Sequence, residues 1–443
     1  MDEAARRALA ERVLAFGRGA DVEAIVADDD FGLTRFTQNA IHQNVAYADT
    51  SVRVRTIVDG RTGVAATNAL DDASLRTAVE RALGMAALAP RDADAPGLAR
   101  NPAPPAPPGA FDEATANATP ADRARIAAAV IAAAERAGLW AAGYVTTARS
   151  GVTIANTAGT LSSFDATSCG LNVKQNGADA SGFAERYAIR VADLDGEAAG
   201  SIAAEKALRG ANPAAVEPGD WTVILEPAAF GEFLSYLGDH FSAQAFEEGS
   251  SFLCDGLDRA YAGANVELAD DFAHPLLAGR PFDDEGYPTR RVALLAGGTA
   301  AGLVTDAATA KRLGRANTGH GLPAPNADGP QPRHLVMAAG GTPLADLIAG
   351  TERGLLISRF WYIRPVDQRK TIVTGMTRDG TFLIERGEVT AGVRNMRFNQ
   401  SILAALGHAT FAAEPVRTEG YSYRLVTPAV KVDRFTFSSA TEF

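Results

Sequence analysis

The sequence predicts an α+β protein, with a duplicated α-β-meander-α unit in its N-terminal half and a large β-rich C-terminal domain. Three observations predict this fold. Blocks of alternating apolar and polar residues, typical of half-buried strands, occur twice, each between two segments with helical spacing. A proline-rich segment divides the two blocks. From residue 218 onward, short apolar or alternating runs are divided by glycines, which favours a large mixed or antiparallel sheet.

The first unit, residues 1–88, begins and ends with a predicted helix, over residues 3–17 and 72–88. The polar segment 67–75 supplies N-cap candidates and first-turn acids for the closing helix. The strands predicted between the two helices are residues 24–27, 32–39, 41–47, 50–58 and 61–67.

Residues 89–119 are predicted to be an interdomain linker, because their many prolines favour an extended and semi-rigid backbone. The second unit, residues 120–212, repeats the plan of the first. Its predicted helices are residues 120–138 and 193–210, and its predicted strands are residues 143–150, 151–156, 159–176 and 178–186.

The third domain, residues 218–443, opens with an informative segment. The apolar run 223–225, ended by Pro227, predicts a strand. A helix is predicted next, from apolar residues at helical spacing: Phe230, Leu234, Leu237 and Phe241. Ser235, Asp239 and His240 fall off this apolar stripe. Later strands are predicted at residues 289–296, 299–305, 334–338, 354–363, 370–377, 380–386, 388–393 and 430–438.

Charge and composition argue against nucleic-acid binding and against membrane insertion. The formal net charge is -11 with a pI near 5.2, whereas phosphate contacts need clustered Lys and Arg. No stretch offers the roughly 18 uncharged apolar residues of a membrane span. Cys169 and Cys254, in a chain without a secretory signal, are expected to be reduced. We therefore expect a soluble, cytoplasmic protein.

The order strand, proline, helix and acidic glycine turn in residues 221–255 resembles the zinc-helix region of the TldD/PmbA family of peptidases. Residues 281–290, 380–388 and 393–398 resemble the same family, as does the N-terminal strand-turn-strand. In the catalytic subunits of that family the helix carries His-Glu-x-x-x-His, and a cysteine in a later loop is a third zinc ligand. Here positions 235–240 begin Ser-Tyr and end in His240, and no cysteine follows Cys254.

These departures from the family pattern imply that the chain holds no metal and no cofactor. A catalytic zinc needs three protein ligands, and the hydroxyl of Ser235 is a poor substitute for imidazole. The phenol of Tyr236, with an ordinary pKa of about 10, is poorly suited to activating water. The resemblance therefore implies that zinc lies in a partner subunit.

Within the family, a zinc-bearing subunit pairs with a non-metal homologue of the TldE/PmbA type to cleave unstructured peptides in an enclosed cavity. The resemblance implies that this chain is such a non-metal subunit, a pseudoenzyme that shapes the chamber and the substrate groove. Its expected partners are a TldD-like homologue, or a second copy of itself, and a peptide substrate. Peptidase activity is expected only in the complex with a His-Glu-x-x-x-His subunit.

Two other functions remain open from the sequence. Ser235, Asp239 and His240 could serve a stand-alone, zinc-free amide hydrolase or transferase in peptide or natural-product processing, although a serine within a helix lacks the strained elbow and oxyanion donors of acyl transfer. The chain could also be a non-enzymatic interaction protein. A neighbouring gene for a His-Glu-x-x-x-His homologue would favour the peptidase subunit.

Four further residues are candidates for contact with a substrate. His320 follows a glycine in a segment that resembles a substrate-side loop, and the aromatic run with Trp361, Tyr362 and Arg364 could line a peptide groove or an interface. Ordinary sheet packing explains Trp361 and Tyr362 at least as well. The acidic run 283–285 is best explained as a solvated turn before a strand, because no further ligands occur at the spacing of a cation-binding loop.

Overall fold

The computed structural model describes residues 1–17, 19–100, 103–420 and 423–441, so Pro102 of the predicted linker lies outside the described residues. The N-terminal elements are α1 (Glu3–Phe16), β1 (Asp21–Thr37), β2 (Ala40–Val58), β3 (Arg61–Thr67), α2 (Asp72–Leu88), α3 (Glu113–Ala116), α4 (Pro120–Arg136), β4 (Trp140–Asn156), β5 (Leu161–Asn176), β6 (Ser181–Ala188) and α5 (Gly196–Arg209). A short 3-10 helix, Val191–Asp193, precedes α5.

The strands of both N-terminal units form one antiparallel sheet in the order β3-β2-β1-β4-β5-β6. The first strand of each unit, β1 and β4, pair with each other along most of their length. The α-β-meander-α plan therefore occurs twice, and the repeats join through these central strands. Helices α2 and α4 begin with N-capping side chains. Asp71 accepts a hydrogen bond from Ser74 N at the start of α2, and Thr119 and Asp122 form a capping box at the start of α4.

The strands of this sheet are longer than the sequence pattern predicts. The strands predicted at 24–27 and 32–39 are one strand, β1, which runs through three consecutive aspartates. Asp28 is tolerated there because its carboxylate forms an ion pair with the N-terminal ammonium group at 2.6 Å and accepts a hydrogen bond from Thr50. An ion pair with a group that is distant in the sequence therefore lets the strand continue through an acidic run that would otherwise favour a turn.

The two faces of β1 have different neighbours. Residues at even positions, among them Val22, Ala24 and Val26, are buried in a core with α1 and α2. Residues at odd positions, from Ile25 to Arg35, face a cleft on the opposite side of the sheet. The period-two alternation of a strand therefore divides β1 into a structural face and a cleft face.

The predicted linker is bound to the sheet. Ala99 is fully buried, and its carbonyl oxygen accepts hydrogen bonds from the side chains of Asn156 and Thr160 at the β4–β5 turn. The short helix α3 lies within the linker, and its residue Thr115 accepts a hydrogen bond from Val191 N. Contacts with β4 and β5 therefore define the path of this segment.

The C-terminal elements are β7 (Gly219–Leu225), α6 (Pro227–Ser235), α7 (Ala243–Glu247), β8 (Leu268–Asp270), β9 (Val292–Ala296), β10 (Thr299–Ala300), α8 (Ala307–Leu313), β11 (His334–Met337), α9 (Leu344–Ala349), β12 (Arg353–Asp367), β13 (Ile372–Glu385), β14 (Glu388–Gly392), β15 (Met396–Ser401), α10 (Ile402–Leu406), β16 (Ala409–Phe411), β17 (Val416–Glu419), β18 (Arg424–Thr427) and β19 (Val430–Ala440). Two more 3-10 helices are Gly238–Phe241 and Phe252–Asp255.

Two mixed sheets make up this domain. One has the order β12-β7-β19-β15-β13-β14, with β16 added to β19, and the other has the order β10-β9-β8-β11-β18-β17. The helix α6 packs between them in one apolar core, where Phe233 contacts Phe360, Phe398 and Phe435. The α+β class with a β-rich C-terminal region is confirmed.

Among the described helices, none combines the length with the apolar composition that crossing a bilayer requires.

Candidate functional site

A cleft of ≈ 1280 Å³ lies between the N-terminal sheet and the C-terminal domain. The sheet contributes a largely apolar wall that includes Ile25, Phe31, Leu33 and Val152. The opposite wall is rich in charged and hydrogen-bonding side chains, among them Arg280, Asp284, His320, Arg333 and Tyr423. Concave sites with an apolar wall and a few convergent polar groups are typical of ligand binding.

A smaller cavity of ≈ 600 Å³ adjoins the cleft, and Tyr187, Glu419 and Tyr423 line both spaces. Helix α6 and the residue after it form one side of the small cavity through Glu232, Ser235 and Tyr236. The segment that resembles a zinc helix therefore lies at the side of a connected cleft-and-cavity system.

The predicted helix over residues 230–241 is interrupted. Helix α6 ends at Ser235, and a 3-10 helix, Gly238–Phe241, follows after Tyr236 and Leu237. At Gly238 the backbone lies directly against the ring of Tyr423, where a Cβ would be only 2.5 Å from Cζ. This close approach is a tertiary contact that the apolar spacing of the helix does not reveal.

The first two positions of the His-Glu-x-x-x-His motif, Ser235 and Tyr236, have side chains that form structural hydrogen bonds. Ser235 Oγ donates to the carbonyl oxygen of Glu232 at 2.7 Å, and Tyr236 Oη donates to that of Ile363 at 2.8 Å. His240 is buried beside the ring of Phe252, with centroids 5.7 Å apart, and burial lowers the pKa of its imidazole. His240 does not line the cleft or the small cavity.

This donor set does not fit a zinc ion. Two hydroxyl groups already bonded to carbonyl oxygens and an imidazole that points elsewhere are not the three convergent ligands that catalytic zinc needs. Within the described ranges, no set of three or more His, Cys, Asp or Glu side chains is arranged to hold a metal ion.

The structure separates the three residues of the possible hydrolase site. Ser235 and Asp239 line the small cavity, whereas the His240 ring lies in the apolar core. Asp239 accepts a short hydrogen bond from the hydroxyl of Tyr423. No hydrogen bond joins Ser235 to His240 in the part of the chain that the structure describes.

His320 lies in the wall of the large cleft and is almost fully buried. Its Nε2 atom is 3.1 Å from Oδ1 of Asp270, and its Nδ1 atom is 3.0 Å from Oγ1 of Thr318. The other oxygen of Asp270 accepts from the backbone N–H groups of Arg333 and His334. Burial alone would raise the pKa of Asp270, but His320, His334 and these hydrogen bonds hold it well below its usual range.

Trp361, Tyr362 and Arg364 lie together at the small cavity. They belong to an irregular part of β12, where Tyr362 adopts a φ of 59° and the pairing with β13 shifts. The rings of Trp361 and Tyr362 are exposed, and the guanidinium of Arg364 lies 4.2 Å from the centroid of Tyr362. Of the four predicted substrate contacts, these three share one cavity and His320 lies in the other.

The acidic run 283–285 is not the solvated turn that the sequence pattern predicts; that interpretation is wrong. Asp283 and Glu285 are buried, and their carboxylates accept hydrogen bonds from backbone N–H groups of Gly321 and Ala307, respectively. Burial raises the pKa of Asp283 to about 6 and that of Glu285 to about 8. The fold buries these carboxyl groups because Gly321 and Ala307, which are distant in the chain, donate to them. Asp283 also has local donors, the backbone N–H groups of Glu285 and Tyr287.

Sequence reasoning missed Glu185 on β6 and Glu232 on α6, which both line the small cavity. Burial raises the pKa of Glu185 to about 8 and that of Glu232 to about 7. An acidic residue within the otherwise apolar helix α6 was the one signal in the sequence. Such shifted carboxyl groups in a cavity are typical of functional sites.

The comparisons with known proteins agree on one family. Residues 218–439 match the PmbA/TldA metallopeptidase C-terminal domain, and residues 22–86 match the PmbA/TldA metallopeptidase domain 1. The chain therefore belongs to the PmbA/TldD metallopeptidase family. No curated protein matches the sequence.

Solved structures share the fold along almost the whole chain. TldE from Thermococcus kodakarensis has a TM-score of 0.87 and 21% identity, with 98% of this chain and 99% of that chain covered. A Thermotoga maritima protein described as a candidate modulator of a DNA gyrase has a TM-score of 0.87 and 19% identity, covering 97% of this chain and 99% of that one. A Bacteroides thetaiotaomicron protein of similar description has a TM-score of 0.81 and 21% identity, covering 99% and 100%.

Proposed function

We propose that this chain is the non-metal, TldE/PmbA-like subunit of a heteromeric zinc metallopeptidase that cleaves unfolded or small peptides. The proposal rests on the placement of the side chains at positions 235, 236 and 240, which correspond to the zinc motif of the family. The hydroxyls of Ser235 and Tyr236 are bonded to carbonyl oxygens, and His240 is buried away from the cavity. A TldD-like partner with His-Glu-x-x-x-His would supply the zinc and activate the water.

The cleft face of the N-terminal sheet supports a role in holding an extended peptide. β3 pairs with β2 only along Val52–Val58, so residues 40–51 of β2 have no described strand on their outer edge. Phe31 and Leu33, which line the cleft, lie opposite Tyr47 and Val45 on this segment. An extended peptide can add to such an edge through backbone hydrogen bonds, while its side chains contact the apolar face.

The geometry gives the stand-alone hydrolase little support. A serine nucleophile needs a base within hydrogen-bond reach and donors for the oxyanion. The hydroxyl of Ser235 is used within α6, and the imidazole of His240 lies in the core. The subunit interpretation needs neither group to react.

The proposal is tested by purifying the chain alone and together with a homologue that carries His-Glu-x-x-x-His. Zinc content and cleavage of an unfolded peptide are then measured for both preparations. We expect zinc and cleavage only with the homologue, and neither with a homologue whose motif histidines are replaced. Stoichiometric zinc or strong cleavage in the lone chain would overturn the proposal, as would a homologue that neither binds the chain nor depends on it.

A further inference from the structure

The small cavity beside α6 contains a pair of carboxyl groups without partners. Glu232 projects into it from α6 and Glu185 from β6. In the part of the chain that the structure describes, neither side chain receives a hydrogen bond or forms an ion pair. Protein atoms surround the Glu185 carboxyl group as densely as in the interior, and its remaining exposed surface lies in the cavity.

Two carboxylates without partners in such a cavity destabilise the folded protein unless a ligand compensates their charge. A carboxylate taken out of water loses several kcal/mol of hydration unless a cation or several donors replace the water. Most other buried or half-buried carboxyl groups of this protein have donors: Asp270 and Asp283 accept from backbone N–H groups, and Asp284 from Arg280 and Arg333. The two glutamates of the small cavity differ because no hydrogen-bond donor or ion-pair partner among the described residues contacts their carboxyl groups.

The cations that surround the cavity are already engaged. Arg359 is the cation that acts most strongly on both glutamates, but its guanidinium is 3.6 Å from Asp379 and lies over the ring of Phe183. Lys206 forms an ion pair with Glu226 at 2.5 Å. Glu419, which also faces Glu185, is paired with Arg417 at 3.2 Å.

Arg359 therefore does not neutralise the pair. Burial still raises the pKa of Glu185 and of Glu232, and each pKa remains above its ordinary value although Arg359 opposes the shift. Tyr187 and Tyr144, which are also close to Glu185, remain neutral phenols because burial raises the pKa of both. The charge that the cavity lacks is positive.

Aromatic rings complete the cavity. Tyr187, Tyr236, Trp361 and Tyr362 line it together with the two glutamates. The face of an aromatic ring attracts cations, and this rim already holds the guanidinium of Arg364 over Tyr362. Carboxyl groups and aromatic rings in one cavity are suited to an organic cation of the size of an ammonium or guanidinium group.

We propose that this cavity binds a cationic group of a peptide, a primary ammonium or a guanidinium, between the carboxylates of Glu185 and Glu232. The group is either the amino terminus of the peptide or a basic side chain. On binding, a neutral carboxyl group becomes a carboxylate and its proton passes to the solvent, so the charge of the pair balances that of the guest. The inference rests on the proposed function in that a peptide enters the cleft, but the lone chain suffices for binding.

The test is calorimetric titration of the full chain at neutral pH with blocked pentapeptides. The first pair is acetyl-Ala-Ala-Lys-Ala-Ala-amide and its norleucine counterpart, and the second is pentaalanine amide with a free or an acetylated amino terminus. We expect the cationic member of at least one pair to bind roughly tenfold more tightly than the neutral member. Preference in the first pair identifies a side-chain site, and preference in the second identifies an amino-terminal site.

Glu185→Gln and Glu232→Gln should each reduce this preference roughly tenfold, whereas Glu388→Gln, at an exposed position outside the cavity, should leave it unchanged. Titration of the native chain in buffers of different ionisation enthalpy should show proton release, a result that does not depend on whether the variants fold. Equal affinity within both pairs, or binding without proton release, overturns the inference. Failure of the peptidase complex would not affect these readouts, so the two proposals fail separately.

Discussion

Asp270 and Asp284, at or behind the wall of the large cleft, and Glu185 and Glu232, in the small cavity, are all largely withdrawn from water, but their pKa values shift in opposite directions. Asp270, behind His320, and Asp284, in the cleft wall, have their pKa held below its usual range, because histidines, arginines and backbone N–H groups contact them. In the small cavity, burial raises the pKa of Glu185 and Glu232, since no described donor contacts either one. Burial makes a carboxyl group costly to ionise, and the partners of Asp270 and Asp284 offset that cost. Asp283 lines the same cleft, but burial raises its pKa to about 6 despite its backbone donors.

The two pairs of carboxyl groups therefore have different roles. Asp270 connects segments that are distant in the chain, because Oδ1 lies 3.1 Å from Nε2 of His320 and Oδ2 accepts from the backbone N–H groups of Arg333 and His334. The carboxyl oxygens of Glu185 and Glu232 have no described donor and are available to a ligand. The Asp270 carboxylate therefore has a structural role behind the cleft wall, whereas the carboxyl groups of the small cavity can still compensate the charge of a ligand.

The largest effect on stability should come from removal of the Asp270 carboxylate. Asp270→Ala leaves two backbone N–H groups and two imidazoles facing a buried hole, and should lower the free energy of unfolding by about 3–5 kcal/mol. Urea unfolding at neutral pH measures it. The neighbouring Asp271→Ala, which breaks an ion pair to the exposed Arg291, is the matched control and should cost about 1 kcal/mol. Equal effects of the two changes would show that the partners of Asp270 add nothing.

In the small cavity, the pKa of Glu185 is shifted in the opposite direction to that of Asp270. The folded pKa of Glu185, about 8, exceeds its ordinary 4.5, so the folded state holds a proton that the unfolded state has lost. This contribution to stability is complete below 4.5 and disappears as the pH rises towards 8. Relative to Glu185→Gln, the native chain should lose roughly 2 kcal/mol across that range, since water in the cavity screens part of the effect.

Urea unfolding at a series of pH values, for the native chain, Glu185→Gln and Glu388→Gln, measures this difference. The profile of Glu388→Gln should run parallel to that of the native chain because Glu388 is exposed. Parallel profiles for Glu185→Gln as well would mean that the Glu185 carboxyl group is ionised in the folded protein, and the contrast between the two spaces would not hold.

A smaller effect is expected at Asp284, between Arg280 and Arg333. These guanidinium groups lower the pKa of Asp284 to about 2, against an ordinary 3.8. The stabilisation is present above 3.8 and disappears as the pH falls to about 2. Asp284→Asn should therefore cost about 1–2 kcal/mol at neutral pH and almost nothing at the acid end, as measured by urea unfolding. A cost that persists at the acid end would point to lost packing instead.

The smallest effect concerns His240. Because its imidazole packs on Phe252 and lines neither space, His240→Ala should leave the zinc content of the proposed complex unchanged. Elemental analysis of the purified complex measures it, with a partner whose motif histidines are replaced as the zinc-free reference. Loss of zinc on His240→Ala would show that this residue reaches the metal across the subunit boundary.

The sequence predicted the elements well where contacts are local. Alternation located the strands of both N-terminal units, and the segment 67–75 contains Asp71, the cap of α2. It failed where a distant group changes the outcome. The aspartates of β1 continue a strand because the N-terminal ammonium group meets Asp28, and α6 stops at Ser235, where Tyr423 lies close to Gly238.

The candidate site was predictable only in part. The departure from the zinc pattern at Ser235 and Tyr236 can be read directly, because it is a matter of residue identity. The grouping of Trp361, Tyr362 and Arg364 beside Glu185 and Glu232 could not be, since β6, α6 and β12 are far apart in the chain. Asp283 and Glu285 were misjudged for the same reason: Gly321 and Ala307, which donate to them, are distant in the chain.

The sequence by itself determined the α+β class, the family and the absence of a zinc motif at positions 235–240, because spacing and residue identity are local properties. Only the tertiary structure decided which acidic side chains are charged and which can meet a ligand. Desolvation and Coulomb energy depend on distances between groups that the fold brings together, as it does for Glu185 and Glu232.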